Sequence, residues 1–169
     1  MPRSVHPALA YIQRLYAPED VLLASIIKRL EDDKIEWQVG ADEGRLLQLL
    51  IRMNRVKTVV EVGTLGGYSA IWMARALPEG GHIYTMEKDP KHAQLAREMI
   101  AQSEVADKIT LHEGDARQML ETLNSHGPFD MLFIDADKPG YNAYLDWGEK
   151  YIKQGGLIVA DNTLLFGAV

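Results

Sequence analysis

The feature that most constrains the fold is an alternation that begins near Lys57. Short apolar runs stand at Thr58–Val62, His82–Met86, Lys108–Leu111, Met131–Ile134 and Leu157–Ala160. Between them, Tyr68–Ala76, Pro90–Ser103, Ala116–Leu123 and Tyr141–Ile152 repeat their apolar positions at helical spacing. Strands alternating with helices predict an α/β fold, a parallel sheet with helices on both faces. Gly80-Gly81 and Gly155-Gly156 read as helix-to-strand turns. Residues 1–54 read as a helical N-terminal extension. Pro18-Glu19-Asp20 precedes the helical pattern Val21, Leu22, Ile26, Ile27, Leu30, and Ala41 or Asp42 opens another helix with Leu46, Leu47, Leu50 and Ile51 on one stripe. With 169 residues and a prior of roughly 150 per domain, residues 1–169 are expected to form one domain, its core spanning 55–169.

Composition narrows the function. Apolar residues make up 47% of the chain and charged ones 25%, which excludes a disordered or low-complexity protein. There is no cysteine, so zinc-thiolate sites, iron–sulfur clusters and cysteine nucleophiles are ruled out. A net charge of −6 without a block of lysine or arginine argues against a nucleic-acid partner. No run approaches the about 18 apolar residues of a membrane span, and the N-terminus lacks a secretory pattern. The cytoplasm is the expected compartment.

The strongest local motif is Val59-Val60-Glu61-Val62-Gly63-Thr64-Leu65-Gly66-Gly67-Tyr68-Ser69, a strand running into a glycine-rich turn that opens a helix. Such a turn lets backbone approach a ligand and aims helix N–H groups at it. Leu65 breaks the dinucleotide spacing G-x-G-x-x-G. Glu61 ends the strand instead, and a carboxylate there suits a cationic ligand such as S-adenosylmethionine better than a pyrophosphate. A plain strand-to-helix turn is the competing reading. Glu87 closes the second strand where an acidic residue accepts ribose hydroxyls, or it belongs to a solvated turn in which Asp89 caps the next helix. Asp115 either contacts adenine or caps its helix.

Two further strand ends carry Asp135-Ala136-Asp137-Lys138 and Asp161-Asn162. Neighbouring parallel strands lie roughly 4.8 Å apart, so Asp135, Asp161 and Asn162 can converge. Two carboxylates and an amide oxygen suit a hard divalent cation such as magnesium, calcium or manganese. The alternative is that the aspartates cap helices and Asp161-Asn162 makes a turn. The histidines His6, His82, His92, His112 and His126 show no metal spacing. Trp72 is expected in the core; Trp37 and Trp147 either line an aromatic-substrate pocket or, the favoured reading, pack in the core or an interface. Tyr141 either packs near the Asp135 loop or simply starts its helix.

The ordered patterns E-V-G-T-x-x-G-Y-S, I-D-A-D-K-x-x-Y and D-N-T resemble the cation-dependent O-methyltransferases, the group of caffeoyl-CoA and catechol O-methyltransferases. The likeness extends to the lead-in Gln38-Val39-Gly40-Ala41-Asp42-Glu43-Gly44 and covers nearly the whole chain. It implies a Rossmann-like methyltransferase fold in which Glu61, Gly63, Ser69, Glu87, Asp115 and Asp135 bind S-adenosylmethionine. It further implies that Asp135, Asp161 and Asn162 hold the metal and that Lys138 is the general base, acting on a vicinal dihydroxy aromatic, in an enzyme that is commonly a homodimer. Family members run longer, with a further helix and two strands after the fifth strand. The all-apolar fifth strand, read as buried on both faces, and the apolar ending Leu164–Val169 therefore read as a fragment lacking its C-terminal edge. Two other functions compete. One is a cofactor-binding but inactive truncated protein. The other is an NAD-dependent oxidoreductase, disfavoured by the glycine spacing and the Asp135/Asp161-Asn162 set.

Overall fold

The computed structural model describes residues 6–35 and 37–163. The N-terminal extension folds into α1 (Pro7–Tyr16), α2 (Val21–Asp32) and α3 (Ala41–Asn54). Each start has a local cause. Pro7 enters α1 at a position that needs no donor. The Asp20 carboxylate caps α2 by accepting the Leu23 N–H at 2.9 Å. Before α3, Glu43 reaches back to accept the Gly40 N–H.

The remaining elements alternate: β1 (Thr58–Val62), α4 (Tyr68–Ala74), β2 (His82–Glu87), α5 (Pro90–Ala101), β3 (Ile109–Glu113), α6 (Ala116–Leu123), β4 (Phe129–Ile134), α7 (Tyr141–Tyr151) and β5 (Ile152–Ala160). The strands make one parallel sheet in the order β3-β2-β1-β4-β5. Both faces are covered, as the apolar strands predict. Val59, Ile83, Met131 and Phe133 pack on one face with buried residues of α2, α3, α4 and α5. Val60, Val62, Leu132 and Ile134 pack on the other with Leu120, Tyr144 and Trp147. Alternate residues of a strand point to opposite faces, so the run of apolar neighbours in β1 and β4 serves both cores at once.

Three expectations need correction. Gly155-Gly156 does not precede the fifth strand but lies inside it. Ile152 already pairs with Phe129, and the next pair is Leu157 with Met131. Gly155 takes φ +78° in the irregular stretch between them, a conformation that suits glycine. Helices α4 and α5 end at Ala74 and Ala101, short of the expected bounds. Finally, β5 is not buried on both faces. It is an outer strand among the described residues, and Ile158 is 39% exposed. The Leu164–Val169 ending lies outside the described residues, and no helix among those described is long and apolar enough to cross a membrane.

The strand order places the site. From β1 the chain runs outward to β3, then returns to lay β4 on the other side of β1, so β1 and β4 flank the point where the order reverses. Ligands of open parallel sheets bind at the carboxyl ends of strands at such a point. The registers Val62↔Met86, Val62↔Ile134 and Ile134↔Ala160 then set Gly63, Glu87, Asp135 and Asp161 at one level. Backbone bonds extend the ladder past the strands: Gly63 N–H to Met86 O (3.1 Å), Asp135 N–H to Val62 O (2.9 Å) and Asp161 N–H to Ile134 O (2.9 Å).

Candidate active site

A cleft of about 630 Å³ opens along this edge, a size typical of small-molecule sites. Its lining includes Gly63, Ser69, Glu87, Asp115, Asp135, Lys138 and Asn162 of the expected site residues. Glu61 and Asp161 are not part of this lining, and Glu61 is placed differently. It is fully buried beneath the glycine turn, where its carboxylate accepts from Ser69 Oγ (2.5 Å) and Thr85 Oγ1 (2.6 Å). Thr85 stands opposite Glu61 in the β1–β2 register and also meets Thr64 Oγ1.

Burial pushes the Glu61 carboxyl up to about 8, the two hydroxyl donors oppose the shift, and the charges of Asp135 and Glu87 add to it. The sign of the consequence follows by linkage. A carboxyl whose folded pKa exceeds its ordinary value contributes stability that is full below about 4.5 and lost as pH rises through about 8. Glu61→Gln, which cannot ionise, should therefore melt with less dependence on pH than the parent between pH 6 and 8.5. Parallel melting curves for the two chains would expose a wrong assignment.

The glycine turn is held by charge as well as shape. Glu87 Oε2 accepts the Leu65 N–H and Oε1 the Asp89 N–H, both at 2.8 Å, and His92 Nδ1 stands 3.9 Å from Oε1. The Glu87 carboxylate is thus fixed at the cleft with acceptor capacity to spare. Asp89 caps α5 through Lys91 and His92 N–H groups, as the sequence suggests. Asp115 caps α6 through the Arg117 N–H, as one of its two readings expects, and also lines the cleft. Hydrogen bonds from Arg117 hold its carboxyl down to about 2.

At the other end, Asp135 sits under the glycine turn, and an added Cβ at Gly63 would lie 1.9 Å from the Asp135 carbonyl oxygen. Burial, reinforced by the Asp161 charge, pushes the Asp135 carboxyl up to about 6, while Lys138 opposes. Lys138 Nζ donates to the Asp161 carbonyl at 3.1 Å and to Tyr141 Oη at 2.5 Å, and Tyr141 Oη donates to the same carbonyl at 2.7 Å. Asp137, next to Lys138 in the chain, accepts from Tyr144 Oη at 2.7 Å. Tyr141 packs at the Asp135 loop while it starts α7.

The donor set fits the ligands expected of it. Carboxylates of Glu87, Asp115 and Asp135 line the cleft, which suits a ligand bearing positive charge. The Asp161 charge makes Asp135 harder to ionise, a tension that a hard divalent cation would relieve. Among the described residues no group of three or more His, Asp or Glu side chains gathers for a metal. A cation held by Asp135 and Asp161 would need Asn162 as its third protein ligand; the Asn162 backbone adopts φ +51° beside Asp161.

Sequence reasoning missed some of the wall. Trp72 and Trp147 are buried as expected, but Trp37 is 71% exposed and lines the cleft with Gln38. Thr85 and Tyr144 were also missed. The signal for Thr85 was a polar residue inside the otherwise apolar run of β2.

Comparison with known proteins agrees with this geometry. The sequence model described as O-methyltransferase matches residues 17–169. A catechol O-methyltransferase of Niastella koreensis is 43% identical over 94% of this chain and 73% of its own length. One of Mycobacterium tuberculosis is 41% identical over 95% and 73%. Among solved structures, an O-methyltransferase of Streptomyces achromogenes involved in tomaymycin synthesis, in complex with SAM, superposes with a TM-score of 0.90. It is 37% identical, over 94% of this chain and 73% of that one. An α/β sheet built around a glycine turn, an acidic cleft at its switch point and a match across almost the whole sequence together place the chain in the O-methyltransferase family, enzymes that move a methyl group onto oxygen.

Proposed function

We propose that the chain transfers the methyl group of S-adenosylmethionine to a hydroxyl of a vicinal dihydroxy aromatic, catechol-like or caffeoyl-like, with the help of a divalent cation (magnesium, calcium or manganese). The observation that carries this reading is the meeting of the β4 and β5 ends: Asp135 and Lys138 follow one strand, Asp161 and Asn162 the other, and Lys138 Nζ bonds the Asp161 carbonyl. The names of the two catechol relatives and the SAM-bound structure support the choice of donor and acceptor.

In this reading, Gly63, Ser69, Glu87, Asp115 and Asp135 contact the cofactor, and Glu61 acts from beneath through Ser69. Asp135, Asp161 and Asn162 hold the cation. When bound, the cofactor supplies an electrophilic methyl group and the cation supplies charge that makes a phenolic hydroxyl more acidic. Lys138 takes the phenolic proton at Nζ, in its neutral form. Tyr141 and the Asp161 carbonyl aim that nitrogen. Positive charge on the donor is neutralised during transfer, so the protein's main task is to hold two reactants in line and exclude water.

The working unit is proposed to be one domain, a homodimer in the cytoplasm with no nucleic-acid or membrane partner. Tyr11 and Leu15 of α1 and Leu46 and Leu49 of α3 stand exposed and support contact through the N-terminal helices. The test is calorimetric and catalytic. Binding of S-adenosylhomocysteine is expected and binding of NADH is not. Methylation of catechol is expected with magnesium and should stop with a chelator. Turnover that survives chelation would remove the cation. Cofactor binding without turnover on any vicinal dihydroxy aromatic would favour a binding-only protein.

A further inference from the structure

The opposite end of the sheet carries a second concavity. It lies where α3 runs into β1 and α4 into β2, at the amino ends of those strands, and encloses about 370 Å³. Arg52, Arg55 and Lys57 line it, and Ile51, Val56 and Pro78 supply apolar wall. Three cations within six residues are unusual in a chain whose net charge is −6. Among the described residues, none of the three side chains makes an ion pair. The neighbouring Asp130 carboxylate is already matched: it accepts the Lys57 and Thr58 N–H groups and pairs with Lys153 at 2.6 Å.

A helix C-terminus favours a nearby cation, which accounts for Arg52 in the last turn of α3. The same preference extends to Arg55, the residue that follows the helix. That residue is the C-cap and holds φ +54°, ψ +39°, the left-handed region where glycine or asparagine is usual. A non-glycine residue there carries backbone strain. Lys34 also takes a positive φ after α2, so this is a way of ending a helix; at Arg55 it also sets a second guanidinium on the cleft.

We propose that this cleft binds the phosphate group of a small phosphorylated molecule. The planar donors of Arg52 and Arg55 suit phosphate oxygens, Lys57 adds a point charge, and the apolar wall takes the organic part. The proposal is independent of methyl transfer, since the cleft lies at the end of the sheet remote from the strand ends that carry Asp135 and Asp161.

Thermal unfolding at constant ionic strength tests it, with phenyl phosphate and inorganic phosphate as probes and chloride as the reference. The parent chain should show a saturable rise, roughly 5–10 °C at a hundredfold excess over Kd. Phenyl phosphate should act at lower concentration than inorganic phosphate. Arg55→Gly should begin at a higher melting temperature than the parent, because the strain is gone, yet lose the response. Arg55→Lys should retain part of it, and Arg52→Ala should weaken it without relieving strain. The proposal fails if chloride reproduces the rise, or if the parent and both Arg55→Gly and Arg52→Ala respond alike. A lower starting melting temperature in Arg55→Gly would overturn the strain argument, leaving Arg52→Ala to decide the binding.

Discussion

Gly63→Ala is expected to lower the melting temperature by roughly 10 °C or more, or to prevent folding. Two independent causes act at this position. Gly63 holds φ +99°, outside the regions open to an L side chain. An alanine Cβ would also stand 1.9 Å from the Asp135 carbonyl oxygen and 2.8 Å from its carbonyl carbon, both main-chain atoms. Backbone cannot swing aside like the end of a side chain, so β1 and β4 must part at the switch point. The Gly63 N–H to Met86 bond and the Asp135 N–H to Val62 bond would be disturbed together. A loss of about 3–5 kcal/mol follows from strain plus overpacking. Gly80→Ala isolates the first cause: Gly80 holds φ +70°, but nothing lies within 4 Å of an added Cβ. It should lose only about 1 kcal/mol. Equal melting temperatures for the two variants would show that the close approach of β1 and β4 carries no energetic weight.

That contrast also shows what the sequence could and could not say. The glycine turn after β1 was legible because a strand ending in Glu61-Val62-Gly63 and opening a helix at Tyr68 has few other uses. The convergence of Asp135 and Asp161 was legible because parallel strands keep their carboxyl ends together. The partner of Gly63 was not legible, since it depends on β4 lying beside β1, a pairing between residues far apart in the chain. The same reason hid the environment of Glu61. Its alternation with Val60 and Val62 places it on the face of Val59, but only the register with Thr85 shows that two hydroxyls meet it under the cleft. Gly155-Gly156 misled for a related reason. A glycine pair reads as a turn until Ile152 is found paired with Phe129, which puts the pair inside a strand. For Trp37 the favoured packing role did not hold and the pocket-lining alternative did, because burial of a loop aromatic is decided by what packs over it.

Lys138→Ala should lower kcat by roughly 10²–10⁴-fold, the range typical of losing a positioned general base, with little change in cofactor affinity. The reasoning starts from geometry. Lys138 lies three residues after Asp135, on a turn of residues Lys138–Gly140 that leads into α7. Its Nζ is drawn to the β5 end by the Asp161 carbonyl and to the Tyr141 ring, whose centroid is 4.3 Å away. The nitrogen is therefore held at the cleft rather than left on the surface. An ammonium kept there only to balance Asp135 and Asp161 would matter through charge, and arginine would replace it well. A base must give up its proton and take another, which arginine does not do near neutral pH. Lys138→Arg should thus be nearly as slow as Lys138→Ala. Tyr141→Phe keeps the amine but removes the hydroxyl that orients it, so its loss should be smaller and shared between kcat and KM. Two controls keep the outcome readable. S-adenosylhomocysteine binding should match the parent in all three variants, which shows an intact cleft. In the two Lys138 variants melting temperatures should also stay close, because Lys138 is only partly buried and Tyr141 Oη still donates to the Asp161 carbonyl. If Lys138→Arg turns over at the parent rate, the residue supplies charge alone and the proton leaves by another route.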